Sequence, residues 1–175
     1  MLKESFPEPD FSPEPGWLPL PQEDLGSEYR SFVSGDPQGD RLRVRYFRRA
    51  ADCALMAKVW FGPGAQGPPG HAHGGSMAAV LDEAMGFAAW LGGHSVLAGR
   101  ISVDFHRMLP LRTVAVVETG IEKVQGRKVL THGSIRLPEG GIAASGTGVF
   151  VQVSAERFGG LRPPSLAAKA LEDKC

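Results

Sequence analysis

Cysteine is nearly missing from this chain. Cys53 and Cys175 are the only two. One falls in a strand pattern and the other is the last residue, so no disulfide framework is expected and a reducing compartment is compatible. Net charge is missing too, since 19 basic and 19 acidic side chains balance. That argues against broad electrostatic binding to nucleic acid. No apolar run reaches the roughly 18 residues of a membrane span. The N-terminal residues lack a basic region followed by an apolar one. They are acidic and proline-rich, and so read as neither a secretory signal nor a mitochondrial transit peptide. A cytoplasmic location is the expectation. There is no internal repeat and no second domain, and the length suits one domain with a substantial core.

What is present is mostly strand pattern. Residues 1–40 form a proline-rich arm, with a short helix expected over 22–33 and turn chemistry at Ser34–Asp40. Leu42, Val44 and Tyr46 alternate with Arg41, Arg43 and Arg45, whose face reads as solvated. A second alternating run covers 53–61. Four more strand-like runs follow, at 97–106, 113–124, 128–137 and 142–153, with a hairpin turn at Gln125-Gly126. In the last run Gly146 and Gly148 share a face, which predicts close approach of another backbone element. Residues 154–175 are a tail with a short helix expected over 165–171.

Between the second and third runs lies the stretch that carries chemistry. Gln66-Gly-Pro-Pro-Gly-His71-Ala-His73-Gly74-Gly75 is a loop, and Ser76–Leu91 reads as the one long helix. Met77, Val80, Leu81, Ala84, Met85, Ala88 and Leu91 form its apolar stripe. Asp82 and Glu83 fall on opposite sides of that stripe. Asp82 shares its side with Gly75, Ala78, Gly86 and Ala89, all small. Glu83 shares its side with Ser76, Phe87 and Trp90. The first amides of a helix have no internal partner and lie at its electropositive end. At Gly74 or Gly75 they could stabilise an oxyanion. A carboxylate two turns on could act as base or nucleophile. The pattern of two strands, a helix and four strands is an α+β architecture.

The 66–75 run with Asp82, followed in order by Gly99–Pro110 and Val124–Lys128, resembles hotdog-fold acyl-CoA thioesterases. The likeness is to the phenylacetate-pathway type and to thioesterase superfamily members 4 and 5, over roughly residues 41–153. It implies an antiparallel sheet wrapped around one long helix, a homodimer or homotetramer with sites at the dimer interface, and hydrolysis of acyl-CoA to free acid and CoA. It assigns Asp82 as the catalytic carboxylate and Gly74 as the oxyanion donor. Gly75, His73 (a cap or loop-orienting group before a general base) and Gln66 complete the candidate site. Arg107, Arg127 and Lys128 match its basic positions for CoA phosphates, and the acyl chain is expected near Met85 and Phe87. Some relatives place a Thr or Ser of the facing subunit in the site, but the corresponding positions here hold Ala98, Gly99 and Arg100.

No cofactor is expected. A metal site is not expected either, because a cupin-like set would want Glu where Met77 or Ala78 stands after His71-x-His73. Two other readings stay open. One is a hydroxyacyl-thioester dehydratase pairing His71 or His73 with Glu83 across a subunit interface, and the other is an acyl-CoA-binding sensor without turnover.

Overall fold

The computed structural model describes residues 8–21 and 31–154. Its elements run β1 (Trp17–Pro19), β2 (Leu42–Arg49), β3 (Leu55–Phe61), α1 (Gly74–Leu91), β4 (Val96–Phe105), β5 (Thr113–Gln125), β6 (Lys128–Arg136) and β7 (Ile142–Gln152). All seven strands form one antiparallel sheet in the order β1-β2-β3-β5-β6-β7-β4, with α1 packed on one face. This is the hotdog arrangement.

The stripe read from the sequence is the buried side of α1. Met77, Val80, Leu81, Ala84, Met85 and Ala88 are all buried, and Ala89 joins them. The sheet makes room for that helix with glycine. A Cβ at Gly146 would stand 3.4 Å from Leu81, and one at Gly133 would stand 3.1 Å from it. Gly148 serves differently, because the Phe150 ring and Thr131 fill the space above it.

The sequence pattern misses the cover on the other sheet face. Residues 8–20 lie across β2 and β3. Glu14 bonds Lys58 at 2.7 Å, Trp17 stacks on Phe47 with ring centres 5.5 Å apart, and β1 pairs with β2. Arg43 is therefore 6% exposed, with its guanidinium 4.7 Å above the Trp60 ring and bonded to Gly39 O. At Arg43 the arginine face is thus not a solvated one, whereas Arg41 is exposed. The alternation was read correctly, but an aromatic–cation layer under the arm takes the place of water. The helix expected over 22–33 lies mostly outside the described residues, and 32–33 are turn. The helix expected over 165–171 lies wholly outside them. Cys53 sits in the β2–β3 turn rather than in a strand and is disulfide-bonded, contrary to expectation. Its partner lies outside the described residues.

The two sheet edges differ. β1 is three residues long and contains Pro19, which blunts it. β4 has ten residues and no proline, and among the described residues its free side carries no partner strand. Along it Leu97 and Phe105 are each 54% exposed. Near its start, the ladder to β7 slips by one residue. Ala98 faces Phe150 and Arg100 faces Val149, so Gly99 has no opposite number. This bulge reverses the parity of the residues before it. Ala98, not Leu97, shares the helix-facing side with Ile101, Val103 and Phe105.

Candidate active site

The helix begins two residues earlier than its apolar pattern, because His73 caps it. His73 is extended, with φ −68° and ψ 138°, and the Gly75 N–H donates to its Nδ1 at 2.8 Å. Ser76 Oγ donates to His73 O at 2.7 Å, and the His73 N–H reaches Ala65 O at 2.8 Å. A Cβ at Gly67 would lie 2.7 Å from His73 Cα, so the loop must pass the cap without a side chain there. Gln66 is exposed on that loop, outside the cleft described below. His71 Nδ1 lies 2.9 Å from Pro69 O, so His71 commits Nδ1 to the loop and His73 commits it to the helix start. Among the described residues no cluster of three metal-ligand side chains exists.

The cap decides between the two glycine amides. Gly75 spends its N–H on His73. Among the described residues the Gly74 N–H has no partner, and the Phe105 ring lies 3.2 Å from where a Gly74 Cβ would stand. One free amide therefore sits at the positive end of the helix, beside an aromatic ring on the edge strand. If His73 works as a cap, His73→Ala lowers stability by about 1 kcal/mol while His73→Asn, a good capping residue, keeps most of it. Thermal unfolding of the two variants checks this.

The acids separate just as cleanly. Glu83 turns toward β2, where Tyr46 Oη donates to its Oε1 at 2.8 Å and Ser31 Oγ donates to its Oε2. Tyr46 is fully buried, and its phenol is held well above its ordinary pKa, first by burial and then by the Glu83 charge. Glu83 is thus a structural anchor facing away from β4.

Asp82 faces the opposite way, into a cleft of about 360 Å³ lined by Ala78, Ala79, Ala98, Gly99, Arg100 and Ile101. It is half-buried with no hydrogen bond or ion pair among the described residues, and burial alone raises its pKa from 3.8. Burial without a partner is the signature of a carboxylate held for a reaction. Ser95 is not part of this cleft. The path expected for an acyl chain near Met85 and Phe87 is closed. Met85 is 0% exposed and Phe87 packs edge-on against Tyr46 at 5.0 Å. The open space lies between α1 and β4 instead.

The site residues are also far apart on one chain. Gly74 and Asp82 are eight helix positions apart, about 12 Å of axial rise. The basic residues divide as well. The Arg107 N–H reaches Ala143 O and the Arg127 guanidinium reaches Gln152 O at 3.0 Å, so they mark opposite ends of β7. Nine strand residues separate those ends, about 30 Å. Lys128 stands with Arg127 at one end, pairing Val151.

Comparison with known proteins finds similarity to one superfamily. The thioesterase superfamily model matches residues 69–144. Acyl-coenzyme A thioesterase THEM4 of Bos taurus is 28% identical over 139 residues, covering 79% of this chain and 57% of the relative. The chain thus spans little more than half the length of that curated relative. The crystal structure of a thioesterase superfamily protein superposes with a TM-score of 0.63 at 32% identity, covering 69% of this chain and 59% of that one. A hypothetical thioesterase from Streptococcus pneumoniae TIGR4, solved with coenzyme A, superposes at 0.59 with 15% identity, covering 66% and 90%. That last likeness concerns the fold.

Proposed function

We propose that this chain, which carries a hotdog domain of the thioesterase superfamily, hydrolyses acyl-CoA thioesters at a site shared by two subunits. The observation that carries the reading is the 12 Å gap. An oxyanion donor and a base or nucleophile must both lie within about 3 Å of the reacting groups. One copy of α1 cannot bring Gly74 and Asp82 to a single carbonyl. Two antiparallel copies can, with Gly74 from one subunit and Asp82 from its partner.

The free edge of β4 supplies a way to assemble. A two-fold pairing of β4 with its copy extends the sheet and lays the two helices side by side. Opposing the Phe105 end of one strand with the Ala98 end of the other brings each Gly74 toward the partner subunit's cleft. The same operation moves Arg107 of one subunit toward Arg127 and Lys128 of the other. That gives a split basic site for the CoA phosphates. A homodimer is the minimum assembly, and a homotetramer would be a dimer of this unit.

In this reading the Gly74 N–H stabilises the carbonyl oxygen as it becomes anionic. Asp82 activates water or attacks the carbonyl, and CoA leaves as the thiol. His73 and Gly75 hold the helix start, and Gln66 belongs to the loop that supports it. The acyl group lies along the cleft between α1 and β4. A cytoplasmic location belongs to the same reading. Among the described residues no helix is long and apolar enough to cross a membrane.

The test is CoA release from short, long and aromatic acyl-CoAs, run on wild type and Asp82→Asn. Hydrolysis that disappears in the variant supports a thioesterase and ranks its substrates. Acyl-CoA binding without turnover would favour the sensor reading, and a strictly monomeric protein with full activity would remove the shared site.

A further inference from the structure

We propose that Phe150 ends the acyl pocket, so that the site takes compact acyl groups and excludes long chains. This rests on the thioesterase reading and names the substrate class of its cleft. Opposite Asp82 the cleft is walled on the β4 side by Ala98 and Ile101. The next strand in is β7, where Phe150 stands opposite Ala98 and Gly148 opposite Ile101. The Phe150 ring leans back over Gly148. A Cβ at Gly148 would stand 2.5 Å from Phe150 Cε2, and one at Gly86 would stand 3.3 Å from Phe150 Cε1. The ring is therefore held between two bare stretches of backbone, Gly148 in the sheet and Gly86 in the helix. Gly86 lies one turn past Asp82 on the same side of α1. Phe150 itself is 3% exposed. An acyl chain that runs inward from Asp82 meets the ring after one strand spacing, about 4.8 Å.

Behind the ring the same row continues. Thr131 on β6 also stands opposite Gly148, and its Oγ1 would lie 2.7 Å from a Gly148 Cβ. Thr131 is 1% exposed, and among the described residues its hydroxyl has no hydrogen-bond partner. A buried hydroxyl without a partner is costly, and Val would fill the same space without that cost. Ile101, Gly148 and Thr131 thus form one row across three strands. Phe150 plugs it at the glycine, and a hydroxyl stands at its far end. Without the ring the row is a slot two strand spacings deep, about 10 Å.

The test is kcat/KM for butyryl-, octanoyl- and 8-hydroxyoctanoyl-CoA. Wild type prefers butyryl-CoA to octanoyl-CoA by about tenfold or more. Phe150→Ala reverses that order, since each methylene newly buried is worth about fourfold. Phe150→Leu keeps more of the packing and moves the ratio the same way by a smaller factor, which serves if the alanine variant fails to fold. In Phe150→Ala, 8-hydroxyoctanoyl-CoA exceeds octanoyl-CoA by about tenfold, because its hydroxyl reaches Thr131. Adding Thr131→Val removes that preference and keeps the octanoyl gain. A ring that only filled the core would give neither result, because loosened packing does not choose between a chain and its hydroxylated form.

Three results overturn the proposal. They are octanoyl-CoA turned over by wild type as well as butyryl-CoA, an unchanged ratio in a folded Phe150 variant, and a hydroxyl preference that is missing from Phe150→Ala or survives Thr131→Val. Each of these leaves Asp82-dependent hydrolysis standing. Absence of any acyl-CoA hydrolysis by wild type is the separate result that removes the thioesterase reading itself.

Discussion

Asp82→Asn lowers kcat by about a thousandfold or more and leaves acyl-CoA affinity within a few-fold, as expected for loss of a base or nucleophile whose shape is preserved. The carboxylate is held without any partner among the described residues, so removing its charge breaks no bond. The same variant carries a second signature. Burial raises the Asp82 pKa, which means that the folded state disfavours its charge. Any stability linked to the protonated form is fully present below the unfolded pKa and is lost as pH rises through the folded one. At neutral pH Asp82→Asn therefore melts higher than wild type, and the difference shrinks as the pH falls through the carboxyl range. In wild type, kcat/KM has an acid limb set by a pKa above 3.8, the ordinary value for Asp. An inactive variant that melts lower would indicate that Asp82 holds the fold. Activity within a few-fold of wild type would move the chemistry elsewhere.

Gly74→Pro is the second large effect, with kcat falling by about a hundredfold to a thousandfold through loss of one oxyanion donor. Proline inside a helix would normally confound such a test. Here it enters at the first helical position, where its missing N–H breaks no internal bond and its φ suits the turn. A proline also restricts the residue before it to extended conformations. His73 already has ψ 138°. The nearest obstacle is the exposed Phe105 ring, the free end of a side chain. Circular dichroism should match wild type and KM should move little. A variant that keeps its kcat would assign the oxyanion to another donor.

The residues differ in how legible they were before the structure. Burial of one face leaves a periodic trace, so the α1 stripe, the hairpin at Gly126 and the glycine face of β7 could be read directly. Asp82 and Glu83 could be sorted by their neighbours on the helix, and the sorting held. Of the small residues on the Asp82 side Ala78 lines its cleft, whereas Glu83 is held by Tyr46 and Ser31. Those two partners lie far from Glu83 in sequence and left no local signal. The cover on Arg43 was hidden for the same reason, because the place where the proline-rich arm docks leaves no local trace. The Gly99 bulge was invisible because one extra residue shifts parity without changing composition. Unbroken alternation would put Leu97 on the side of Ile101, Val103 and Phe105. The spacing of Gly74 and Asp82 was legible from the start, and its consequence emerged once the helix was seen to run unbroken through both.

The shared site is the central claim, and a mixed dimer tests it most directly. Asp82→Asn and Gly74→Pro chains, each inactive alone, are combined by co-expression or by unfolding and refolding together. If each site takes Gly74 from one subunit and Asp82 from the other, every heterodimer contains one intact site. Random association makes half of the dimers mixed, so about a quarter of wild-type activity returns. If both groups come from one chain, no intact site forms in any combination, and a mixture that stays inactive while heterodimers are shown to be present contradicts the account.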